Sequence, residues 1–256
     1  MVTQNFTTNA INLKTYPLSE TDKIVLMYSQ DKGLIRGVAK GAKKAKSKLG
    51  GRMDILVANK LLLHKGKNLD TIAQAEAMNS FYKIRLDMDK MMYSMYCAEM
   101  VMNLGVENDP SANEIFELLY NCLQKIADSK NKIETLLATL RFQLKMTETS
   151  GYALELQNCT VCGTPPCGEL FFSLAAGGVV CEKCSKNFPA SKRMNIKLRD
   201  FLQTLAQTDF SDKTEYDHKA DEKICLFCFN LLKEHILQFS PKKFKTLSTL
   251  QEFACV

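Results

Sequence analysis

Two Cys-x2-Cys pairs, Cys159/Cys162 and Cys181/Cys184, stand 18 residues apart. They constrain the chain more than any other feature. Each pair presents two sulfurs from one tight turn, and two such turns complete a tetrahedron around a metal ion. Gly163 follows the first pair and Gly177-Gly178 precedes the second, giving the backbone freedom such knuckles need. Four thiolates leave no open coordination position, so we expect a structural Zn2+ ion rather than a catalytic one. Cys225 and Cys228 repeat the spacing within ICLFCFNLL, an apolar helical run with no second pair, and read as core thiols. Cys167, Cys97, Cys122 and Cys255 complete no second quartet.

The second constraint is charge. Residues 32–53 hold eight Lys and Arg and no Asp or Glu. The first 80 residues carry 13 basic and 6 acidic side chains, a net of +7, whereas the whole chain is +6. The basicity is therefore local. Lysines alternate with Gly, Ala and Ser in KGAKKAKSK, which lets backbone approach a phosphate chain. A solvated surface loop is the plainer reading. The absence of acids and the apolar runs on both sides favour a polyanion site built from Arg36, Lys40, Lys43, Lys44, Lys46, Lys48 and Arg52. Within residues 1–80 only Phe6, Tyr16 and Tyr28 are aromatic, so contact should run mainly through phosphates, be salt-sensitive and accept single and double strands.

Patterning divides the chain. Five strands are expected over Phe6 to Lys14, Lys23 to Ser29, Gly33 to Ala39, Met53 to His64 and Thr71 to Ala77, separated by polar turns. Five strands with a long basic connection after the third suit a small closed barrel. Helical spacing takes over from about Arg85 to Leu104, where the methionines read as core packing. It continues from Asp109-Pro110, and again from Ile133 to about Thr149, with Gly151 as the stop. Residues 152–190 read as irregular and cysteine-rich. Helices resume at Lys197 to Gln207 and Asp221 to Phe239, ended by Pro241.

Several chemistries lack their signatures. The glycines at 33, 37, 41, 50 and 51 never build a phosphate-binding GxxxxGK[ST] loop. His64, His218 and His235 have no ligand at HExxH spacing. Pro166-Cys167 is not followed by the remainder of a deaminase PCxxC, and no GxSxG occurs. We expect no catalytic residue. No apolar run approaches the roughly 18 residues a membrane span needs. The first ten residues lack a signal-peptide pattern, so a cytoplasmic location is expected.

The run Ala10-Ile11-Asn12-Leu13, with Tyr16, Glu20, Asp22, Val25, Lys32-Gly33, Ala39-Lys40-Gly41-Ala42-Lys43-Lys44, Ser47 and Gly50-Gly51, resembles the start of the bacterial recombination mediator RecO family. Gly151-Tyr152, Cys159-x2-Cys162-Gly163, Phe172-Ser173, Gly177-Gly178 and Cys181-x2-Cys184 resemble its zinc-bearing insertion. The resemblance covers nearly the whole length; from about residue 190 only helical character matches. It implies an α+β multidomain protein, with an N-terminal OB-fold β-barrel (1–80) followed by an α-helical domain (81–150 and 191–256). A four-cysteine zinc finger (151–190) would be inserted in that domain. It further implies a nucleoid-associated protein that binds single- and double-stranded DNA and anneals complementary strands. With RecR it would load RecA onto strands coated by SSB, whose acidic C-terminal tail it would contact through the helical domain. The residues for SSB and RecR lie on no motif we can place. Three other readings share some of these features: a zinc-ribbon sequence-specific nucleic-acid-binding regulator, a nuclease with carboxylates gathered by the fold, and an adaptor for an acidic protein.

Overall fold

The computed structural model describes residues 5–166, 168–212, 214 and 220–253, the last three as backbone only. Cys167, His218 and Cys255 lie outside the described residues. The chain forms two units, Met1–Asp128 with Phe244–Phe253, and Ser129–Lys243 with Ala254–Val256.

The first unit begins with strands β1 (Asn5–Pro17), β2 (Lys23–Ser29), β3 (Gly33–Ala39), β4 (Ala58–His64) and β5 (Asp70–Asn79). They close into a barrel in the order β1-β2-β3-β5-β4, the OB-fold arrangement. Neighbours are antiparallel except β3 and β5, which pair in parallel at Gly37–Asp70 and Val38–Thr71. Alternation along the strands turns Ala10, Val25, Met27, Ala39, Leu61, Leu63 and Ile72 inward to one apolar cluster. A register shift between Asn12 and Lys14 interrupts the alternation of β1.

The expected strand from Met53 to His64 is corrected at its first half. Gly51–Met53 is a 3-10 turn, Leu56 has φ +60°, and β4 begins only at Ala58. The cause is polar. The Asn12 side-chain amide donates to the Arg52 and Asp54 carbonyls at 2.7 and 2.8 Å, and the Asn59 amide donates to Arg52 O at 2.8 Å. These side chains take carbonyls that a strand would give to a neighbour. The fold thereby drops Met53, fully buried, into the barrel core.

Helices α1 (Met88–Leu104) and α2 (Ala112–Asp128) follow. Asp87 caps α1 by accepting the Lys90 amide at 3.0 Å. Asp109 is instead drawn outward: its carboxylate accepts the Ser111 amide at 2.9 Å and the Tyr28 hydroxyl at 2.9 Å, and α2 starts just beyond. Cys97 and Cys122 are buried, with sulfurs 3.9 Å apart. Core packing holds for only part of the methionine run: Met92 and Met100 are buried, Met91, Met95 and Met102 half-buried, and Met88 exposed. A short helix from 246 to 253 also joins this unit; it is α7 below.

In the second unit, α3 (Lys132–Thr149) opens with a two-sided cap in which the acid reaches one residue beyond the N-cap. The Asn131 side chain accepts Glu134 N at 3.0 Å, and the Glu134 carboxylate accepts Lys130 N at 2.8 Å. Gly151, at φ +81°, ends the helix. The stretch 152–190 is not irregular throughout. β6 (Leu170–Ser173) pairs antiparallel with β7 (Gly178–Cys181) and with β8 (Lys192–Met194), in the order β7-β6-β8. Strands of three and four residues are too short to show a period, which is why the pattern missed them. The short helix α4 (Glu182–Ser185) follows β7; α5 (Ile196–Gln207) and α6 (Glu222–Phe239) pack with α3. α7 (Thr246–Phe253), in the first unit, was not expected from the sequence.

Candidate nucleic-acid interface and metal centre

The connection between β3 and β4 carries most of the positive charge. Arg36 points outward from β3, Lys40 follows the strand, Lys43, Lys44, Lys46 and Lys48 ride the loop, and Arg52 sits on the 3-10 turn. All seven side chains are exposed. Among the described residues, none of the seven forms an ion pair. Arg52 instead donates to the Lys48 carbonyl, and Lys43 Nζ to the Ser19 carbonyl at 2.5 Å.

The loop is not loose. Ala42 and Met53 are buried in the barrel cluster and Leu49 packs against it. Backbone bonds add a second set of ties: Lys43 N to Thr21 O at 2.9 Å, Ser47 N to Lys44 O at 2.9 Å and Met53 N to Leu49 O at 3.0 Å. Asp22 Oδ1 accepts the Gly41 amide at 2.7 Å, where Gly41 turns the chain at φ +66°. That amide, then the Thr21 hydroxyl, hold the Asp22 carboxyl below the usual range, against a small opposing effect of burial; Ser19 and the nearby Lys40 charge also lower it. Which apolar side chains of the basic stretch reach the core was not legible in the sequence, since Leu34, Ile35 and Val38 lie in the same run. Nor was the part of Asp22, which acts across 19 residues.

The four cysteines also come together. Sγ atoms of Cys159, Cys162, Cys181 and Cys184 all lie within 4.8 Å of one another, with Cys162 and Cys181 at 4.0 Å. A tetrahedron of sulfurs about 2.3 Å from a metal has edges of about 3.8 Å, so the cage fits a metal ion. The first knuckle closes through Cys159 N to Thr164 O at 2.9 Å and Gly163 N to Cys159 O at 2.8 Å, with Gly163 at φ +71°. In the second, Cys181 ends β7 and Cys184 lies on α4. Gly178 is obligatory here: a Cβ on it would meet the Glu155 carbonyl at 2.1 Å.

Two of the four thiols, Cys159 and Cys162, are biased toward ligation. Burial raises Cys159, but the backbone amides of Cys181, Cys162 and Val161 outweigh it and bring the thiol down to about 6. The Thr164 hydroxyl and amide lower Cys162. Cys184 is pushed up to about 12, first by its hydrogen bond with Cys181, then by burial and by hydrogen bonds with Cys159 and Cys162, with the Cys159 charge contributing least. Cys225 and Cys228 are fully buried on α6, and burial pushes the Cys225 thiol up to about 12 and raises Cys228 too, as core thiols require.

Family comparison agrees with both halves of this architecture. The model of the recombination protein O N-terminal domain matches residues 1–81, and that of its C-terminal domain matches residues 85–245. The chain belongs to the recombination protein O family. It is 30% identical to the DNA repair protein RecO of Desulforamulus reducens over 240 residues, 93% of this chain and 91% of that one. It is 31% identical to the RecO of Acetivibrio thermocellus over 210 residues, 82% of each chain. Identity reaches 37% with the RecO of a Synechococcus strain, over 68% of this chain and 60% of that longer protein. RecO membership gives the chain a role in DNA repair and recombination. No described helix is long and apolar enough to cross a membrane.

Proposed function

We propose that this RecO chain is a recombination mediator that binds single- and double-stranded DNA and anneals complementary strands without covalent chemistry. With RecR it helps load RecA onto single strands coated by SSB, engaging the C-terminal tail of SSB. Residues 1–80 hold DNA through Arg36, Lys40, Lys43, Lys44, Lys46, Lys48 and Arg52. Residues 151–190 hold a structural zinc ion through Cys159, Cys162, Cys181 and Cys184, and the ion cross-links the two turns that carry the cysteine pairs.

The observation that carries this reading is the clamped loop: seven exposed cations on a backbone pinned by Ala42, Leu49 and Met53. Two DNA strands repel through their phosphates. Cations fixed on a surface offset that repulsion and release counterions, and cations without ion partners pay no desolvation of an acid to do so. Lysines among small residues contact phosphates and leave base edges free. An annealing protein needs this, because base edges must remain available to the complementary strand. A sequence-specific regulator would need the opposite.

Strand annealing tests the proposal. Two complementary oligonucleotides precoated with SSB should pair faster with the protein than without it, in the absence of nucleotide and across unrelated sequences. Binding to bare DNA without such acceleration would favour the sequence-specific regulator.

A further inference from the structure

The outer face of the barrel continues from the basic loop, and its register gathers a defined set of side chains. Val25 and Met27 point into the core, so Ile24 and Leu26 lie on the opposite face, Ile24 half-buried and Leu26 buried. Pairing sets Tyr16 beside Ile24 and Ile24 beside Val38; the next row is Lys14, Leu26, Arg36. Lys40 extends the outward series of β3 beyond Arg36 and Val38. The result is a half-buried apolar pair, Ile24 and Val38, with the buried Leu26 beneath, bordered by three cations and with an aromatic ring at its end.

That ring is available. Of the three aromatic residues in the first 80, Tyr28 is fully buried and donates to Asp109, and the Phe6 ring lies under Lys32 Nζ at 3.4 Å. Tyr16 is 41% exposed, and Lys14 Nζ stands 5.3 Å from its ring centre. Within that distance an ammonium is attracted to the ring, so Lys14 supports the aromatic side chain and marks where a phosphate would lie.

We infer that Tyr16 is a base-stacking platform for single-stranded nucleic acid, with Lys14, Arg36 and Lys40 holding the phosphates on either side of the stacked base. The inference rests on the reading of the basic loop as a DNA site and adds a strand preference to it. Stacking uses the base's face and not its edge, so it tolerates any sequence and keeps the edge free for pairing. A duplex hides its faces, so the platform acts on single strands alone.

The whole 256-residue chain tests this with oligothymidylate, its abasic counterpart and a duplex. Tyr16→Leu should weaken oligothymidylate binding by roughly five- to 150-fold while leaving duplex binding and the salt slope unchanged. Tyr16→Phe should bind as the unaltered protein does. The chain has no tryptophan, so Tyr16→Trp installs a unique fluorophore. Its emission should be quenched by oligothymidylate and not by the abasic strand, which reports contact even if affinity is buffered elsewhere. Tyr16→Leu binding like the unaltered protein, with the Tyr16→Trp emission unmoved, overturns the platform and leaves the basic loop standing. Failure of the unaltered protein to bind any of the three at low salt overturns the loop reading and the platform together.

Discussion

The Asp22 carboxylate and the Gly41 amide meet at 2.7 Å, at the root of a loop whose charged residues from Lys40 to Arg52 are all positive. An acid beside a site for polyanions is electrostatically unfavourable to the ligand. Its place is explained by what it holds: the left-handed turn at Gly41 that starts the loop.

This relationship makes opposite predictions for charge and for position. Asp22→Ala removes a negative charge, which by long-range attraction alone would tighten DNA binding. We expect weaker binding, by roughly two- to tenfold, because the hydrogen bond from Gly41 to a charged acceptor no longer fixes the lysines. Single-strand titration at moderate salt distinguishes the two; tighter binding would show that the loop needs no anchor.

The metal cage predicts a separable role. Native mass spectrometry should find zinc on the chain, lost in Cys159→Ser. Chelation should raise hydrogen exchange across the knuckles, β6 and β7, since the cage adds a tie between the two turns to the bond from Thr160 N to Val179 O. The salt dependence of DNA binding should stay as it is. Exchange unaffected by chelation would remove the structural role.

Glu99 predicts where the end of the first unit is fastened. It is buried on α1, and its carboxylate accepts Lys245 N at 2.9 Å, Thr246 N at 2.8 Å and the Thr246 hydroxyl at 2.7 Å, closing the start of α7. Glu99→Ala leaves these donors without a partner and should cost about 2–3 kcal/mol. Chemical denaturation measures it, and a change near zero would mean that water replaces the carboxylate.

His235 predicts a pH dependence. It is buried on α6, with Nε2 2.8 Å from the Tyr152 carbonyl and its ring edge-on to Phe239. Burial holds the imidazole below its ordinary value of 6.5, partly opposed by the Tyr152 carbonyl. A depressed folded value means that the unfolded chain takes up the proton first. This residue's contribution to stability is therefore complete above about pH 6.5 and declines as pH falls below it. His235→Gln should flatten that part of the urea-midpoint profile between pH 7 and 5. Parallel profiles would contradict the assignment.

How much of this was legible follows from the range of the interactions. The barrel strands could be read because turns such as Gln30 to Gly33 punctuate apolar runs, and the cage because each Cys pair is local and the two pairs share one short segment. Leu56 and Met53 were misread as strand because the decisive groups, the side chains of Asn12 and Asn59, act across the barrel. The helix at 246–253 was missed because its first amides are satisfied by Glu99, 146 positions earlier in the chain. β6, β7 and β8 are too short for any period. The cations of the loop were visible as composition; that Ala42, Leu49 and Met53 nail it to the core needed the fold.

The central claim is that the clamped loop holds DNA by its phosphates. The salt dependence of single-strand affinity tests it most directly, with Lys43, Lys44, Lys46 and Lys48 replaced together by Ala. If the unaltered loop neutralises about four to six phosphates, log affinity should fall with log salt at a slope of roughly −3 to −4. The account predicts a clearly shallower slope in the variant, with the thermal transition nearly unchanged because all four side chains are exposed. An unchanged slope would contradict it.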